Sequence, residues 1–550
     1  MDEAYARQAS PDGLFRAGIA AYQVSDYVTA AECFGATVSA FPKHRAARIN
    51  LANALWSLKR YEAAAQHADI ARAAAPASAG AWIITGAIRL DCGDPAGAAK
   101  AYAQAVRLHP DNATAHAGHA AALLAGAQHE AAAQAAGRAL ALAPGSAHAW
   151  FTLASARLAL HQTEAALEIF NDILIAFPGH ARARHNRAHA LIDLGRLDEA
   201  KAELQATLTL DPNLKEAWAT LGYLLTIQAD LPSAIAACDR AVALDPDFAA
   251  AQWNRGVALL LNGDFRGGFA AYEWRKQHPV FRDHFMPIPG IPWQGEGLAG
   301  KHLLVRAEQG FGDTIMLARF LPQLAAQAGR VTLCCPPCLF PLFRHFSIDL
   351  RELNALPGDV DFSADQMSLP YILNIDKANI PSASGYLHAD PARRKALLPS
   401  LPGETPLVGL VWAGNPGHDN DHHRSLPLGA LAPLLALPQL NFISLQIGAR
   451  SGEYPIQDAA PYIQDYGDTA AILSQLDAIV TVDTSVAHLA GSMAVPCHVL
   501  LSKACDWRWQ LGRNGCAWYN SLTLHRQETL DDWSLPIASV IASLKQWFPH

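Results

Sequence analysis

The spacing of small, apolar and proline positions repeats every 34 residues through the first half of the chain. An alanine lies 12 residues before each proline of the series, and a small residue lies 12 residues before each alanine. Small residues at fixed sites let two helices approach closely, and a proline ends the second helix of each pair. The pattern predicts helix pairs from Pro11 to about Tyr272, in seven full copies and a degenerate eighth that starts near Asp247. The prolines are Pro42, Pro76, Pro110, Pro144, Pro178, Pro212 and Pro246.

The second half has a different pattern, in which short β-branched apolar runs alternate with stretches of helical periodicity. Such alternation predicts parallel sheets covered by helices. A segment with prolines and a glycine, Pro399 to Pro406, separates two such series. The pattern therefore indicates two facing Rossmann-like halves with a cleft between them. The predicted strands are 301–306, 331–335, 407–412, 441–446, 478–482 and 496–501, and the predicted helices are 314–326, 428–437, 468–476 and 486–493.

The two patterns predict an α plus α/β fold class, in which a helical solenoid precedes a compact α/β region. The linker between them is rich in proline, and its aromatic residues Phe281, Phe285 and Trp293 indicate a docked connection and not a free tether. The predicted parts are a tail at 1–10, the repeat array at 11–275, the linker at 276–300, the first α/β half at 301–399 and the second at 400–550.

A candidate ligand site follows the strand predicted from Ala478 to Val482. The strand stops at Asp483, Thr484 and Ser485, residue types that favour helix N-caps. A helix that starts there presents free N–H groups and its positive dipole end at a strand's carboxyl edge, where α/β proteins bind phosphates. His488, one turn into the helix, is close enough to reach the same ligand. Alternatively, Asp483 only fixes the turn and His488 is a half-buried histidine with its own partners.

Two further strand ends carry candidate residues. Gly310 and Gly312 lie in the turn after the first predicted strand, where glycines allow a ligand to approach the backbone. Asp313 ends this turn and could cap the helix predicted to start at Thr314. Trp507 and Arg508 follow the strand that ends at Leu501, and they could stack on a base or sugar and pair with a carboxylate. The alternative for this cluster is a tryptophan-rich packing patch.

Composition excludes several classes of function. The net charge is −8 with a pI near 6.3, and the absence of a strongly basic stretch disfavours nucleic acid as a partner. No apolar run reaches the ~18 residues of a membrane span, and the first residues lack the features of a signal peptide. The nine cysteines are scattered and do not indicate a disulfide framework. We therefore expect a cytoplasmic protein.

Two segments resemble metal sites, the polar loop from His418 to His423 and the Cys335-x-x-Cys338 pair. Adjacent residues on a polar loop rarely converge on one ion, and the cysteine pair has no second pair of ligands nearby. We expect the loop to be solvated and to order over a bound ligand, and the cysteines to be structural. The expectation is a protein without a metal or other cofactor.

The 34-residue pattern resembles the tetratricopeptide repeat (TPR) family. Trp82, Trp150 and Trp218 occupy the aromatic position of that family, and Phe34 and Phe170 occupy another. The resemblance implies a concave surface that binds extended peptides. The sixth position of five repeats resembles, incompletely, the asparagine ladder of O-GlcNAc transferases, and the alternative is ordinary polar residues on a helix face. These candidate acceptor-binding residues are Asn50, Thr152, Asn186, Thr220 and Asn254.

In the second half, the strings G-F-G-D (310–313) and D-T-S-V-A-H-L-A-G (483–491) resemble GT-B glycosyltransferases related to lipopolysaccharide heptosyltransferases. Together with the repeats, they resemble bacterial TPR-containing protein glycosyltransferases, including those that modify flagellin. The resemblance implies that Asp313 is the general base of an inverting, metal-independent transfer. It also implies that Thr484, Ser485 and His488 bind the donor phosphate.

One departure from that family concerns the lysine that follows the first strand of its second half. This chain has no lysine in the corresponding segment from Trp412 to Ser425, and Arg424 is the expected substitute. Asn415 and Ser425 are therefore also candidate donor-binding residues.

The sequence therefore predicts a cytoplasmic protein O-glycosyltransferase. It transfers a sugar from a nucleotide donor to Ser or Thr of a protein acceptor held by the repeats. A flagellin-like acceptor, and a CMP-linked nonulosonate such as pseudaminic acid as donor, are implied by the resemblance alone. One alternative is a non-catalytic scaffold whose second half senses a nucleotide sugar. Another is a glycosyltransferase for lipid or oligosaccharide, in which the repeats serve assembly.

Overall fold

The computed structural model describes residues 11–381, 385–397, 406–417, 420–448 and 456–549. The chain divides into two compact units, one that ends at Asn213 and one that begins at Leu214. The repeat pattern predicted a division near residue 275. The structure instead places the last two helix pairs of the array in the same unit as the α/β region.

The described part of the first unit consists of helix pairs with the predicted spacing. Short polar residues precede several helices, and Asp94, Asn112 and Ser146 each accept a hydrogen bond from a backbone N–H in the first turn. The helices are α1 Pro11–Gln23, α2 Tyr27–Ala40, α3 Arg45–Ser57, α4 Tyr61–Ala74, α5 Ala79–Asp91, α6 Pro95–Leu108, α7 Ala113–Ala125, α8 His129–Leu142, α9 Ala147–Ala159, α10 Thr163–Ala176, α11 Ala181–Asp193 and α12 Leu197–Leu210.

The recurring small residues have a direct steric cause in the first unit. A Cβ atom on Gly18 would lie 2.6 Å from the ring of Phe34, which is 1% exposed. A Cβ atom on Gly86 would lie 2.7 Å from the ring of Tyr102. A larger side chain at either position would force the paired helices apart, so the 34-residue pattern records helix–helix packing.

The second unit begins with two more helix pairs, α13 Lys215–Ile227, α14 Leu231–Leu244, α15 Ala249–Asn262 and α16 Phe265–Tyr272. A 3₁₀ turn, Glu273–Lys276, follows α16. The first sheet comes next and is entirely parallel, with the order β1-β5-β2-β3-β4. Its strands are β1 Ile291–Pro292, β2 His302–Arg306, β3 Arg330–Cys334, β4 Asp349–Arg351 and β5 Phe362–Asp365. Its helices are α17 Phe311–Leu317, α18 Leu321–Gln327, α19 Phe340–Phe343 and α20 Leu369–Ile372.

The second sheet is also parallel, with the order β11-β10-β9-β6-β7-β8. Its strands are β6 Leu407–Val411, β7 Asn441–Ser444, β8 Gln457–Asp458, β9 Ala478–Val482, β10 Cys497–Leu501 and β11 Leu522–Arg526. The helices of this part are α21 Pro391–Leu397, α22 Asp421–Arg424, α23 Ala432–Leu435, α24 Tyr466–Leu473, α25 Ser485–Ser492 and α26 Ser534–Trp547.

All six predicted strands are present, with ends that agree within two residues. The helix predicted from Thr314 begins at Phe311, and a 3₁₀ turn, Ala318–Phe320, divides it from α18. The helix predicted at 428–437 is a 3₁₀ turn followed by the short α23. Strands β1, β4, β5, β8 and β11 and the final helix α26 were not predicted.

The largest hydrophobic cluster of the second unit runs from the last repeat to both sheets. It contains Phe265 and Phe269 of α16, Leu303 of β2 and Ile479 of β9. A smaller cluster lies between the second sheet and α26, where Val540 is fully buried. The last repeat is therefore part of the same packed core as the α/β region, as the aromatic residues of the linker had suggested.

Candidate functional site

The second sheet has a topological switch point between β6 and β9. The chain runs from β6 to β7 and β8 on one side and then returns to β9, β10 and β11 on the other, which is the 3-2-1-4-5-6 order of doubly wound sheets. Ligands of such sheets bind at the carboxyl ends of the strands, where the two directions diverge. The loops at this point are 412–417 after β6 and 483–485 after β9. The candidate residues of both loops therefore meet at one edge.

The loop after β9 places polar groups at the start of α25. Thr484 is the N-cap residue of that helix, and its Oγ1 lies 3.1 Å from Oγ1 of Thr481. Ser485 Oγ is 2.6 Å from the hydroxyl of Tyr466, at the start of α24. Burial, and the nearby carboxylate of Asp506, raise the pKa of Asp483 to about 6. With a pKa near 6, this carboxyl group is mainly ionised at pH 7 and takes up a proton more readily than an ordinary aspartate as the pH falls.

The loop after β6 is shaped by its own side chains. Ser425 Oγ accepts from the N–H of Gly414 at 2.9 Å, and Asn415 Oδ1 accepts from the N–H of Gly417 at 3.0 Å. Arg424 Nε pairs with Asp421 at 3.0 Å. Asn415 and Ser425, predicted to bind the donor, therefore hold the loop through these bonds. Arg424 lies beside the loop with its charge paired.

Helices α17 and α25 pack against each other at their first turns. A Cβ atom on Gly312 would lie 2.7 Å from Cδ2 of His488, so the glycine is required by the packing of the two helices. His488 is 3% exposed, stacks on Trp509 with 5.0 Å between ring centroids, and has Nδ1 3.1 Å from the hydroxyl of Tyr519. The expected approach of a ligand to the Gly312 backbone is replaced here by contact with His488.

His488 is neutral in this environment. Burial, and the positive charges of Arg508 and Arg319, lower the pKa of His488 well below its usual value. The sequence had suggested His488 as one of the groups that supply donors and positive charge to a phosphate. The structure corrects the charge part of this expectation, because a buried imidazole beside two guanidinium groups does not hold a second proton. A hydrogen bond from one ring nitrogen is what the group can still offer.

Asp313 joins the two sheets electrostatically. Its Oδ2 accepts from the N–H of Gly310 at 3.1 Å, so it caps α17, and its Oδ1 pairs with Nη2 of Arg508. Burial, and the carboxylate of Asp506, raise the pKa of Asp313, although Arg508 and the Gly310 N–H act in the opposite direction. Arg508 also binds Asp506 at 2.6 Å and lies 4.4 Å from the ring of Trp507. The structure thus brings together the candidate base and the candidate arginine, from different sheets.

Trp507 lies in a packing cluster. It is 2% exposed, and its ring contacts Phe269 at 5.7 Å and Tyr272 at 5.8 Å, both edge-on. Trp518 stacks on Phe265 at 5.3 Å in the same cluster. These contacts match the packing alternative for this cluster, and the stacking of Trp507 on a base stays a prediction.

The switch point of the first sheet, between β2 and β5, is filled by charged side chains. Arg306 binds Asp365 at 2.6 Å, and Lys276 lies 3.3 Å from the same carboxylate. Arg275, 1% exposed, binds Glu308 at 2.7 Å through one nitrogen and at 3.3 Å through another. The end of the repeat array thus occupies this edge, whereas the corresponding edge of the second sheet carries the candidate ligand-binding loops.

The residues predicted to hold an acceptor bond mainly to their own array. Thr152 is 1% exposed and donates to the carbonyl of His148, which corrects its assignment to the groove. Asn186 Nδ2 donates to Ser155 Oγ at 3.0 Å, and Asn254 Nδ2 donates to the carbonyl of Ala219 at 3.2 Å. Asn50 is half-buried, and Thr220, also half-buried, donates to the carbonyl of Glu216 at 2.9 Å.

The polar loop that resembled a metal site is partly described. His418 and Asp419 lie outside the described residues. Asp421 pairs with Arg424, and His423 Nδ1 is 2.9 Å from Asp531. These pairings use two of the candidate ligands for loop structure. All nine cysteines are free thiols, including Cys335 and Cys338.

Sequence reasoning missed several residues that line or support this edge. Tyr466 supports Ser485, Tyr519 supports His488, and Gln309 lies 3.3 Å from Arg508. Their contacts join positions distant along the chain, so no local pattern marks them. Among the helices of the described residues, none is both long and apolar enough to cross a membrane.

Comparisons with known proteins identify the first half of the chain. Residues 15–79, 88–147, 118–181, 157–222 and 220–274 match tetratricopeptide repeat families. The chain is 26% identical over 319 residues to protein FlbA of Caulobacter vibrioides, an alignment that spans 51% of this chain and 52% of FlbA. The chain thus spans about half the length of this relative.

Solved structures of repeat proteins also align with part of this half. A tetratricopeptide repeat protein from Parabacteroides merdae is 15% identical with a TM-score of 0.40, covering 45% of this chain and 98% of that one. YrrB, described as a TPR protein with an unusual peptide-binding site, is 21% identical with a TM-score of 0.27, covering 34% of this chain and 96% of that one. The matches to the tetratricopeptide repeat families place these repeats in the N-terminal ~280 residues.

Proposed function

We propose that the chain is a protein O-glycosyltransferase with a GT-B type catalytic part. The observation that carries the proposal is the Asp313–Arg508 ion pair at the edge where the loops after β2, β6, β9 and β10 meet. The carboxylate of Asp313, which follows a strand of the first sheet, thereby lies beside the switch point of the second sheet. Two Rossmann-like halves with facing carboxyl edges are the arrangement of GT-B transferases, which this proposal assumes.

The nucleotide of the donor binds at the second sheet in this proposal. The first N–H groups of α25 have no partners within the helix, and its dipole favours a phosphate there. Thr484 and Ser485 supply hydroxyl groups, and Asp483, when protonated, supplies another donor. Arg508 and Arg424 supply positive charge once the ligand competes for their carboxylate partners. No metal ion takes part in this arrangement.

Asp313 is the base of the proposed reaction. Its carboxylate removes the proton of an acceptor Ser or Thr hydroxyl while the oxygen attacks the anomeric carbon of the donor sugar. The bond from that carbon to the phosphate oxygen breaks, and the nucleotide leaves with the electron pair. The raised pKa of Asp313 favours proton capture, because a more basic carboxylate holds the proton better. The configuration of the sugar inverts.

The acceptor in this proposal is a protein segment bound by the repeats. Tetratricopeptide solenoids present extended concave surfaces suited to peptides. A flagellin-like acceptor and a CMP-linked nonulosonate donor extend the proposal, on the basis of the sequence resemblance.

Calorimetric titration of CMP, UDP, ADP and GDP into the full chain tests the donor site. We expect one nucleotide to bind selectively. Ser485→Ala should lower the affinity for that nucleotide by about fivefold, because a hydroxyl contact is lost. Ser474→Ala is the matched control, since its hydroxyl binds the carbonyl of Ala471 at the far end of α24. Failure of all four nucleotides to bind would refute the proposal.

Product formation separates the proposal from its rivals. With the matching sugar nucleotide and a protein acceptor, Asp313→Asn should abolish transfer, whereas nucleotide binding should persist or strengthen because Arg508 loses a competing carboxylate. Binding without transfer in the unaltered protein would instead support a non-catalytic adaptor. Transfer to an isolated glycan after deletion of residues 11–213 would support the lipid or oligosaccharide alternative.

A further inference from the structure

We infer that Tyr272, the last residue of α16, positions Arg508 by way of Gln309. The inference rests on the proposed function in one respect, that Arg508 belongs to the donor site. Tyr272 is 5% exposed and belongs to the repeat array, whereas Gln309 lies in the turn before Asp313. A chain of hydrogen bonds therefore runs from the last repeat to the ion pair between the two sheets.

The donors and acceptors of this chain have a defined order. Gln309 Nε2 donates to the hydroxyl oxygen of Tyr272 at 3.2 Å, and Gln309 Oε1 accepts from Nη2 of Arg508 at 3.3 Å. A guanidinium group has no acceptor, so the amide oxygen of Gln309 must face Arg508. Its NH₂ group must then face Tyr272. The Tyr272 hydroxyl also lies 3.5 Å from Gln309 Oε1. Phenylalanine at position 272 would leave the NH₂ group without its acceptor, and only the Arg508 contact would then orient the amide.

Arg508 depends on such positioning because its other contacts compete for it. Nη1 binds Asp506 at 2.6 Å, and Nη2 is shared between Asp313 and Gln309. The Nε atom is buried and has no partner among the described residues. The guanidinium is therefore held by its two Nη groups and by the ring of Trp507, and the Gln309 contact decides how Nη2 is directed towards Asp313.

The same repeat also holds the neighbours of this chain. The ring of Tyr272 lies edge-on against Trp507 at 5.8 Å, and Trp507 carries the guanidinium of Arg508 on its face. Three residues after Tyr272, Arg275 binds Glu308 through two nitrogens, which fixes the backbone beside Gln309. The position of Gln309 is thus defined from both sides by the end of the array.

A double-mutant cycle in the full chain tests the inference. The nucleotide used is the one among CMP, UDP, ADP and GDP that binds the unaltered protein. Tyr272→Phe and Gln309→Leu should each lower the affinity for this nucleotide by about fivefold. The double variant should bind the nucleotide no more weakly than the weaker-binding single variant, because both changes break the same chain of hydrogen bonds. The thermal unfolding midpoint should stay the same, since the ring of Tyr272 is retained and Gln309 is exposed. Tyr102→Phe, a buried tyrosine of the array, is the control and should bind as the unaltered protein does.

Independent effects would overturn the inference, as they would multiply to about 25-fold in the double variant. Unchanged affinity in both single variants would overturn it as well.

Hydrogen exchange of the segment 308–317 provides a readout that needs no nucleotide. Exchange should be faster in each single variant than in the unaltered protein, and the double variant should show no additional increase. Unchanged exchange in the single variants would overturn the inference. If the unaltered protein binds none of the four nucleotides, the proposed function fails while this second readout still decides the role of Tyr272.

Discussion

Two N-terminal truncations test whether the last repeats belong to the α/β unit. One variant begins at Leu214, where the structure divides the chain, and the other begins at Lys276, next to the boundary that the repeat pattern predicted. The second variant lacks α16 and Arg275. We expect the first variant to fold and the second to be unfolded or molten.

The magnitude follows from what α16 buries. Phe265, Phe269 and Tyr272 are 2%, 1% and 5% exposed, and burial of each aromatic side chain is worth about 1.5–3 kcal/mol. Removal of the array end also takes away Arg275, so Glu308, whose side chain is 4% exposed in the full chain, then faces solvent without its ion-pair partner. The loss from the three aromatic side chains, roughly 5–9 kcal/mol, is comparable to the whole stability of a domain, about 5–15 kcal/mol.

Circular dichroism, tryptophan fluorescence and urea unfolding of both variants provide the assay. The variant from Leu214 should unfold cooperatively and emit at short wavelength, since Trp507, Trp509 and Trp518 stay buried. The variant from Lys276 should emit at longer wavelength and show no cooperative transition. Equal midpoints for the two variants would refute the reasoning, and so would an unfolded variant from Leu214.

Three further changes have defined outcomes. Gly312→Ala should destabilise the protein by about 1–3 kcal/mol in urea unfolding, because its Cβ would lie 2.7 Å from His488. Arg275→Met should cost about 3–5 kcal/mol, because it leaves Glu308 buried without its partner. Asp483→Asn should stabilise the protein at pH 8 by up to about 3 kcal/mol and at pH 4 by only about 0.5 kcal/mol, because a pKa raised from 3.8 to about 6 makes the carboxylate form unfavourable in the fold.

Each of these changes has a control in the same chain. Gly310→Ala should be nearly neutral, since its Cβ would lie 3.5 Å from Asp313 and within ordinary contact. Arg266→Met removes an ion pair from a side chain that is 59% exposed and should cost at most about 1 kcal/mol. Asp283→Asn, at an exposed carboxylate, should leave the pH dependence as it is.

The contradicting results are equally specific. Equal stability of Gly312→Ala and Gly310→Ala would show that the His488 side chain moves away from the added methyl group at little energetic cost. Equal costs for Arg275→Met and Arg266→Met would show that Glu308 finds another partner or water. A stabilisation by Asp483→Asn that is as large at pH 4 as at pH 8 would show that burial of the charge is not its cause.

Local pattern was sufficient for the repeat array and for six strands. The spacing of small residues and prolines located the helix pairs, because Gly18 and Gly86 each face a ring on the second helix of their own pair. The apolar run from Ala478 to Val482 located β9 to the residue, since a fully buried strand needs apolar side chains on both faces. Strand β4, Asp349–Arg351, is short, polar and at a sheet edge, so no pattern marked it.

The sequence by itself also determined which residues follow the strand ends and can meet at one sheet edge. Only the tertiary structure decided their partners. Trp507 became a cap for α16, His488 became a neutral buried ring against Gly312, and Asp313 became the partner of Arg508. The contact between Gln309 and Arg508 spans 199 positions of the chain. Burial and charge pairing at such distances depend on how whole sheets and helices pack, and this is why periodicity and motif spacing could not define them.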